Sequence, residues 1–137
     1  MSWESDRINI LFIDDDDAFR QVTTEVLDCL GYKVRAVGSL ASATIALQNA
    51  EAEYDLVLSD LCISGDRDGL LVLDLLDSLG VEVPVIFISG SGYGEWMIPP
   101  GRWNRRIGFL RKPVTMSQLA EGIESLCPGR ALEPRAV

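Results

Sequence analysis

Four consecutive aspartates, residues 14–17, follow an apolar run that ends at Ile13. The run, residues 10–13, is short and uninterrupted, which is typical of a strand covered on both faces of a parallel sheet. Two unit charges ~4 Å apart repel by roughly 4 kcal/mol at an effective dielectric of about 20, so adjacent carboxylates either spread into water or converge on a cation. Mg²⁺ suits one or two carboxylates with positions left for water or phosphate oxygens. The alternative is a solvated acidic turn that caps the following helix.

Three further polar residues stand where later apolar runs end. Asp60, Ser89 and Lys112 each follow or complete a run of mostly apolar residues. Sites in doubly wound sheets lie outside the carboxyl ends of the strands, near the point where the strand order reverses. We therefore expect these three residues to meet Asp14 and Asp15 at one edge of the sheet.

The composition restricts the classes of function. The chain has 137 residues, a formal net charge of −9 and no histidine, which fits one acidic domain without the commonest general base. The negative charge would repel phosphate backbones and anionic lipid, so we expect no direct binding of nucleic acid. No apolar stretch approaches the roughly 18 residues of a membrane span, and the polar start is unlike a secretory signal. Three widely spaced cysteines without a CxxC pair indicate reduced thiols in a cytoplasm.

Strand-like and helix-like patterns alternate along the chain. The predicted strands are residues 10–13, 33–37, 54–60, 83–89 and 107–111. Helices are expected from a cap at residue 16 or 17 to Gly31, from Ser39 to Ala50, over residues 70–79, and from a cap at Thr115 or Ser117 to residue 127. Five strands alternating with four clear helices predict a doubly wound α/β sheet.

Helical spacing also predicts which apolar residues face the core. In the first helix the periodic apolar residues are Phe19, Val22, Val26, Leu27 and Leu30. In the second the inward residues are Leu40, Ala43, Leu47 and Ala50. In the last they are Met116, Leu119, Ala120, Ile123, Leu126 and Cys127. Arg20 is expected on the solvated face of the first helix.

Residues 90–106 interrupt the alternation. They contain four glycines, two prolines and two tryptophans without helical periodicity, and the prolines at 99 and 100 would break a helix. One interpretation is that the apolar side chains cover the sheet; these are Trp96, Met97, Ile98 and Trp103. The other is an exposed apolar patch for a partner or a second copy of the chain, flanked by Arg102, Arg105 and Arg106.

The ordered set of polar residues resembles the receiver domain of two-component response regulators over about residues 8–127. The matching positions are Asp14 and Asp15, Arg20, Asp60 after YDLVLS, Asp68 and Gly69, Ser89 and Gly90, and Lys112 and Pro113. The resemblance implies a flavodoxin-like five-stranded parallel sheet in the order 2-1-3-4-5, with an atypical or missing fourth helix here. The domain is expected over residues 7–128, with flexible tails at 1–6 and 129–137.

The same resemblance implies the chemistry. Asp60 would accept a phosphoryl group from a histidine kinase or a histidine phosphotransfer protein, with Mg²⁺ offsetting the charge repulsion. Asp15 and Asp60 would ligate the metal directly, Asp14 would hold a metal-bound water, and the backbone carbonyl of Cys62 would complete the protein ligands. Such a domain is a phosphoacceptor that switches partner binding, and not an enzyme with a separate substrate.

The remaining roles also come from the resemblance. Lys112 would pair with a phosphoryl oxygen, Ser89 would donate a hydrogen bond to another, and the amide of Gly90 would help. Ser89 and Phe109 would be the switch residues. The bond between Lys112 and Pro113 is expected to be cis.

Two rival functions stay open from the sequence. One is a receiver-like interaction module that is never phosphorylated, because the loop between residues 60 and 69 is one residue longer than usual and has Ser64 and Gly65 where a proline is common. The other is a phosphatase of the haloacid dehalogenase type, since Asp14 and Asp16 after a strand resemble its first motif. That family needs a further acidic motif after its lysine, and nothing acidic follows Lys112 before Glu121.

Overall fold

The computed structural model describes residues 7–49, 53–62, 69–90, 98–102 and 105–127. Within these ranges the strands are β1 (Asn9–Ile13), β2 (Lys33–Val37), β3 (Leu56–Asp60), β4 (Val85–Ser89) and β5 (Ile107–Arg111). The helices are α1 (Asp17–Cys29), α2 (Leu40–Gln48), α3 (Gly69–Leu79) and α4 (Met116–Leu126). All four strand pairings are parallel, in the order β2-β1-β3-β4-β5, which confirms the predicted doubly wound sheet.

The sheet is covered on both faces, as the uninterrupted apolar runs predict. Every residue of β3 and of β4 is buried. Alternate residues of β1 face opposite ways: Leu11 and Ile13 pack with α2 and α3, whereas Ile10 and Phe12 pack with α1 and α4. The strands β3 and β4 are two residues shorter at the start than predicted. The residue Asp55, just before β3, instead binds the amide of Asn9 through its carboxylate at 2.8 Å.

Local capping fixes the helix ends. Asp16, and not Asp17, caps α1, because its carboxylate accepts a 3.0 Å hydrogen bond from the amide of Phe19. Thr115, and not Ser117, caps α4, in a capping box with Gln118. Ser39 caps α2 as predicted. Gly31 and Gly80 end α1 and α3 at φ 98° and 69°, a backbone conformation that costs glycine least.

Two predicted inward residues are exposed. Val22 in α1 is 60% exposed and Met116 in α4 is 49% exposed. The buried residues of α1 are Thr23 and Leu27, and Val22 lies roughly 140° around the helix from Leu27. Met116 occupies the first turn of α4, ahead of the buried Leu119. Ala50 lies outside the described residues, and the second buried alanine of α2 is Ala46.

The connection from β4 to β5 is anchored to α3 by arginines. Its described part, residues 98–102 and 105–106, contains the 3₁₀ turn Pro100–Arg102 and no α-helix, in keeping with the predicted atypical fourth helix. Arg105 donates to the carbonyl oxygens of Val81 and Val83 at 2.9 Å each, and to Asp77 at 2.6 Å. Arg102 binds Asp74 at 2.6 Å and Asp77 at 3.1 Å.

These contacts change the interpretation of residues 90–106. The Arg105 side chain is only 11% exposed, so it anchors the connection to α3 and is not the exposed cation that a partner patch requires. Ile98 is buried in the core beside α2 and α3, as expected if apolar residues here cover the sheet. Trp96, Met97 and Trp103 lie outside the described residues, so the patch they were predicted to form stays a prediction.

Among the residues that the structure describes, no helix combines the length and the apolar character needed to cross a membrane.

Candidate functional site

The loop after β1 holds Asp14 at the edge of the sheet. Its amide donates to the carbonyl oxygen of Val37, the last residue of β2, at 3.1 Å. Its Oδ1 atom accepts a 2.9 Å hydrogen bond from the amide of Asp16. The Asp14 side chain is fully buried, so the carboxylate is fixed between two strand ends and is not free to turn into water.

Arg20 on α1 braces the same loop. Its Nη1 atom donates a 2.7 Å hydrogen bond to the carbonyl oxygen of Asp14, and its Nη2 atom contacts Asp17 Oδ1 at 2.6 Å. The guanidinium also lies against Gly38, where an added Cβ would come within 3.0 Å of Nη1. The prediction that Arg20 points into solvent is therefore wrong, because its long side chain turns back along α1 onto the loop.

Asp60 ends β3 next to this loop. Its carboxylate is nearly buried, with Oδ1 accepting a 3.0 Å hydrogen bond from the amide of Cys62. Its Oδ2 atom lies 3.3 Å from the ammonium nitrogen of Lys112. One oxygen is thus bound by the backbone, and the other faces a cation.

Three carboxylates converge in this place. Asp14, Asp15 and Asp60 each offer an oxygen within 4.8 Å of the other two. Within the described part of the chain, the Oδ2 atom of Asp14 is buried without a hydrogen-bond partner. A buried carboxylate oxygen of this kind needs a proton or a cation. Three hard oxygen donors fit Mg²⁺, so the residues present suit the metal that the sequence predicts.

Burial makes Asp14 a weaker acid than an ordinary aspartate. Its pKa is raised from 3.8 to about 6, mainly by desolvation and also by the charges of Asp60 and Asp15. The hydrogen bond from the amide of Asp16 and the charge of Lys112 lower the pKa. Since burial is the main cause, the raised pKa reflects a carboxylate removed from water, which a bound cation would stabilise.

Lys112 follows β5, and its side chain reaches the acidic cluster. Its amide donates to the carbonyl oxygen of Ser89 at 2.8 Å, and its bond to Pro113 is cis, as the resemblance implies. Its Nζ atom lies 3.3 Å from Asp60 Oδ2 and 3.7 Å from Asp14 Oδ2. The same atom lies 4.3 Å from the centre of the Phe19 ring.

The other predicted site residues lie around this edge. Ser89 is buried at the end of β4, in register with Arg111 of β5. Gly90 follows it, and a Cβ added there would meet no atom of the described residues within 4 Å. The ring of Phe109 packs against that of Phe87 at 5.8 Å between centroids. These placements agree with the expected geometry, while the roles of Ser89, Gly90 and Phe109 stay predictions.

Cys62 contacts the site in a way that the sequence does not predict. Its amide binds Asp60, and the predicted role of its carbonyl as a metal ligand stays a prediction. The contacts of Arg20 and Phe19 were also missed. The spacing of Asp17 and Arg20, three residues apart at the start of α1, is the sequence signal that could have shown Arg20 bound to the acidic loop.

The cluster combines two opposite electrostatic properties within a few ångströms. Three carboxylates can hold a hard divalent cation, and an ammonium beside them can bind an anionic oxygen. A carboxylate placed between a metal and an ammonium is suited to accept a phosphoryl group, because both cations offset the repulsion between the two anions.

Several known proteins are similar to this chain in sequence. The family model described as the response regulator receiver domain matches residues 10–124. A two-component response regulator of Oryza sativa subsp. indica is 30% identical over 112 residues, which are 82% of this chain and 17% of that protein. The sensor kinase CckA of Brucella abortus is 28% identical over 119 residues, which are 85% of this chain and 12% of that protein. This chain therefore spans less than a fifth of either relative.

Solved structures are similar as well. A response regulator receiver protein from Sinorhizobium medicae has a TM-score of 0.73 at 27% identity, covering 91% of this chain and 98% of that chain. The receiver domain of the hybrid histidine kinase CckA has a TM-score of 0.69 at 28% identity, covering 86% of this chain and 97% of that chain. Nothing in these similarities supports the haloacid dehalogenase alternative.

Proposed function

This chain belongs to the response regulator receiver domain family, and we propose that it accepts a phosphoryl group on Asp60 and thereby switches its binding to a protein partner. The phosphoryl donor is a histidine kinase or a histidine phosphotransfer protein. The observation that supports this function most directly is the convergence of Asp14, Asp15 and Asp60 beside the ammonium of Lys112.

Asp60 is the nucleophile. One of its carboxylate oxygens forms a bond to the phosphorus atom, and the bond between that phosphorus and the donor's imidazole nitrogen breaks. The electron pair of the broken bond returns to the imidazole, and the product on Asp60 is an acyl phosphate. The amide of Cys62 binds Oδ1 at 3.0 Å, which orients the carboxylate. Orientation matters because attack requires the oxygen in line with the leaving nitrogen.

Lys112 binds the incoming phosphoryl group. Its ammonium lies 3.3 Å from the Oδ2 atom of Asp60, so an oxygen of a group attached there comes within its reach. Lys112 follows β5 directly, and its amide donates a hydrogen bond to the carbonyl oxygen of Ser89. The sheet therefore fixes the backbone from which the lysine side chain extends. The hydroxyl of Ser89 donates a hydrogen bond to a second phosphoryl oxygen, and the amide of Gly90 assists.

Asp14, Asp15 and Asp60 would hold Mg²⁺, with the Cys62 carbonyl as a further ligand. When bound, the metal supplies positive charge that offsets the repulsion between a carboxylate and a phosphoryl group. The buried Oδ2 atom of Asp14, which lacks a hydrogen-bond partner, supports this role. Asp14 carries the charge that attracts the ion, and Arg20 fixes the loop that carries Asp14.

The output of the switch is carried by the face around Phe109. Ser89 changes its contacts when it binds the phosphoryl group, and Phe109 on the neighbouring strand responds. The downstream partner is a protein, for which a second copy of this chain is one candidate. The described cysteines form no disulfide, which supports a cytoplasmic location.

Phosphorylation can be tested by intact mass. The protein is incubated with acetyl phosphate and Mg²⁺, and we expect the mass of one phosphoryl group to be added to the wild type but not to Asp60→Asn. Asp28→Asn, a change of the same size on the exposed side of α1, should accept the group normally. No mass gain in the wild type, with or without a partner kinase, would favour the unphosphorylated interaction module.

A further inference from the structure

Phe19 lies beneath the ammonium of Lys112. The Nζ atom is 4.3 Å from the ring centroid, well inside the ~6 Å within which a cation is attracted by the face of an aromatic ring. The Lys112 side chain is 28% exposed, so the ammonium is partly removed from water, and this strengthens its attraction to the ring.

The carboxylates alone do not fix the ammonium. Its distances to Asp60 and Asp14, 3.3 and 3.7 Å, are longer than the ~2.8 Å of a strong charge-assisted hydrogen bond. Lys112 is therefore shared between two carboxylates, and the aromatic face below it is the third contact that defines its position.

Phe19 is held in place both through its ring and through its backbone. The Phe12 ring in the core of the sheet meets it edge to face, at 6.3 Å between centroids and an interplanar angle of 65°. The amide of Phe19 is bound by the carboxylate of Asp16 at the start of α1. Phe19 is thus fixed by the acidic segment and by β1, the elements that also place Asp14.

From these contacts we infer that Phe19 is a positioning residue, whose ring face holds the Lys112 ammonium beside Asp60 ready to bind an incoming phosphoryl oxygen. The inference rests on the proposed phosphoacceptor function. The ring attracts the ammonium without a formal charge of its own. It therefore places the cation without neutralising it, and leaves it available to the phosphoryl group.

The contact can be measured without metal or phosphoryl donor, because the chain has only two lysines, Lys33 and Lys112. Protons above an aromatic face are shielded, so in lysine-labelled protein the Lys112 ε-CH₂ signal should lie upfield of the Lys33 signal. Lys33→Arg assigns the two signals. The upfield shift should disappear in Phe19→Leu and persist in Phe19→Tyr. Coincident lysine signals in the wild type would overturn the inference.

The role in phosphorylation is tested by fluorinating the ring. Mono-, di- and trifluorophenylalanine at position 19 keep the shape of the ring while weakening the negative potential of its face. We expect the rate of the acetyl phosphate reaction to fall with each added fluorine, and to be about fivefold lower with the trifluoro ring. Phe19→Leu should lower the rate by a similar factor. Phe19→Tyr should retain most of the rate. The same fluorinated residues at Phe87, a buried ring on the opposite face of the sheet, should leave the rate unchanged.

Each result has a separate meaning. A rate that does not change along the Phe19 series, or that falls equally in the Phe87 series, overturns the positioning role. A wild type that never gains a phosphoryl group overturns the proposed function instead, and the metal-free lysine signals then still show whether Phe19 holds Lys112.

Discussion

Arg20 donates a 2.7 Å hydrogen bond to the carbonyl oxygen of Asp14, six residues earlier in the chain, and so ties α1 to the loop that carries the buried carboxylate. The same guanidinium packs against Gly38 after β2. Two strand ends and a helix therefore meet at one side chain. The geometry of the acidic cluster depends on it, although Arg20 provides no ligand atom.

Replacing Arg20 should weaken the binding of Mg²⁺. In Arg20→Gln the carbonyl of Asp14 loses a charge-assisted hydrogen bond worth about 1.5–3 kcal/mol, and the acidic loop becomes less ordered. We expect the dissociation constant for Mg²⁺ to rise roughly tenfold by calorimetry, with Arg20→Lys in between. Arg35→Gln removes the same charge from an exposed position on β2 and should change the constant much less. Removing a positive charge should by itself tighten the binding of Mg²⁺. An equal rise of the constant in both glutamine variants would therefore show that the contact between Arg20 and Asp14 is not its cause.

Asp14 should make the metal-free protein less stable as the pH rises. Its pKa is about 6 in the folded protein against 3.8 for the ordinary group, so the folded state binds the proton more tightly than the unfolded state. The stability from this proton is complete below pH 3.8 and is lost as the pH rises through 6, by at most about 3 kcal/mol. Asp14→Asn has no carboxyl proton at this position, so its stability should not fall with pH for this reason. In urea denaturation with a chelator, the variant should gain stability over the wild type between pH 4.5 and 7.5.

Mg²⁺ should make the wild type more stable than Asp14→Asn at high pH. A ligand that binds only the folded state stabilises it by mass action, so added Mg²⁺ should raise the unfolding free energy of the wild type at pH 7.5. Asp14→Asn should respond weakly, because it lacks the buried carboxylate. A difference between variant and wild type that is constant with pH, and unaffected by the metal, would contradict the assignment of the pKa to Asp14.

Lys112→Met should separate metal binding from phosphorylation. The change removes a positive charge 3.3 and 3.7 Å from two carboxylates that bind the metal in the proposed site. Mg²⁺ should therefore bind several-fold more tightly, because the competing cation is gone. The reaction with acetyl phosphate should nevertheless be much slower. Lys33→Met, on the exposed edge strand, should alter neither quantity, and weaker metal binding by Lys112→Met would disprove the competition.

The two arginines after β4 should contribute unequally to stability. Arg105 is 11% exposed and binds two backbone carbonyls as well as Asp77, whereas Arg102 is 27% exposed and binds the side chains of Asp74 and Asp77. Arg105→Ala should lower the unfolding free energy by about 2–3 kcal/mol, because two carbonyls lose a charged donor. Arg102→Ala should cost at most about 1 kcal/mol.

Salt distinguishes these contributions. Urea unfolding at low and high ionic strength should show the Arg102 effect fading, since exposed ion pairs are screened. The Arg105 effect should largely remain. Equal losses for both variants at high salt would show that the backbone contacts of Arg105 contribute little.

The sequence predicted the strands and helices well, because their signals are local. Apolar runs without interruption marked β1, β3 and β4, and glycines marked the ends of α1 and α3. Helix faces were less certain: Val22 and Met116 were expected inside and are exposed, since periodicity alone does not show where a helix leaves the sheet.

The candidate site follows from a general property of parallel sheets. Because the strands all point one way, residues at their carboxyl ends come to one edge, which predicted that Asp14, Asp15, Asp60 and Lys112 would meet. The contacts of Arg20, Phe19 and Arg105 were missed, because each joins segments whose separation is set by packing and not by sequence distance.

The sequence by itself determined the order of elements, the approximate helix starts and the residues that reach the acidic edge, since those depend on periodicity and on neighbours a few positions away. Tertiary structure alone decided that Asp14 is buried with an oxygen that has no hydrogen-bond partner among the described residues, and that Lys112 lies over Phe19. Burial and through-space distance set the strength of charge interactions, and both exist only once helix and sheet have packed together.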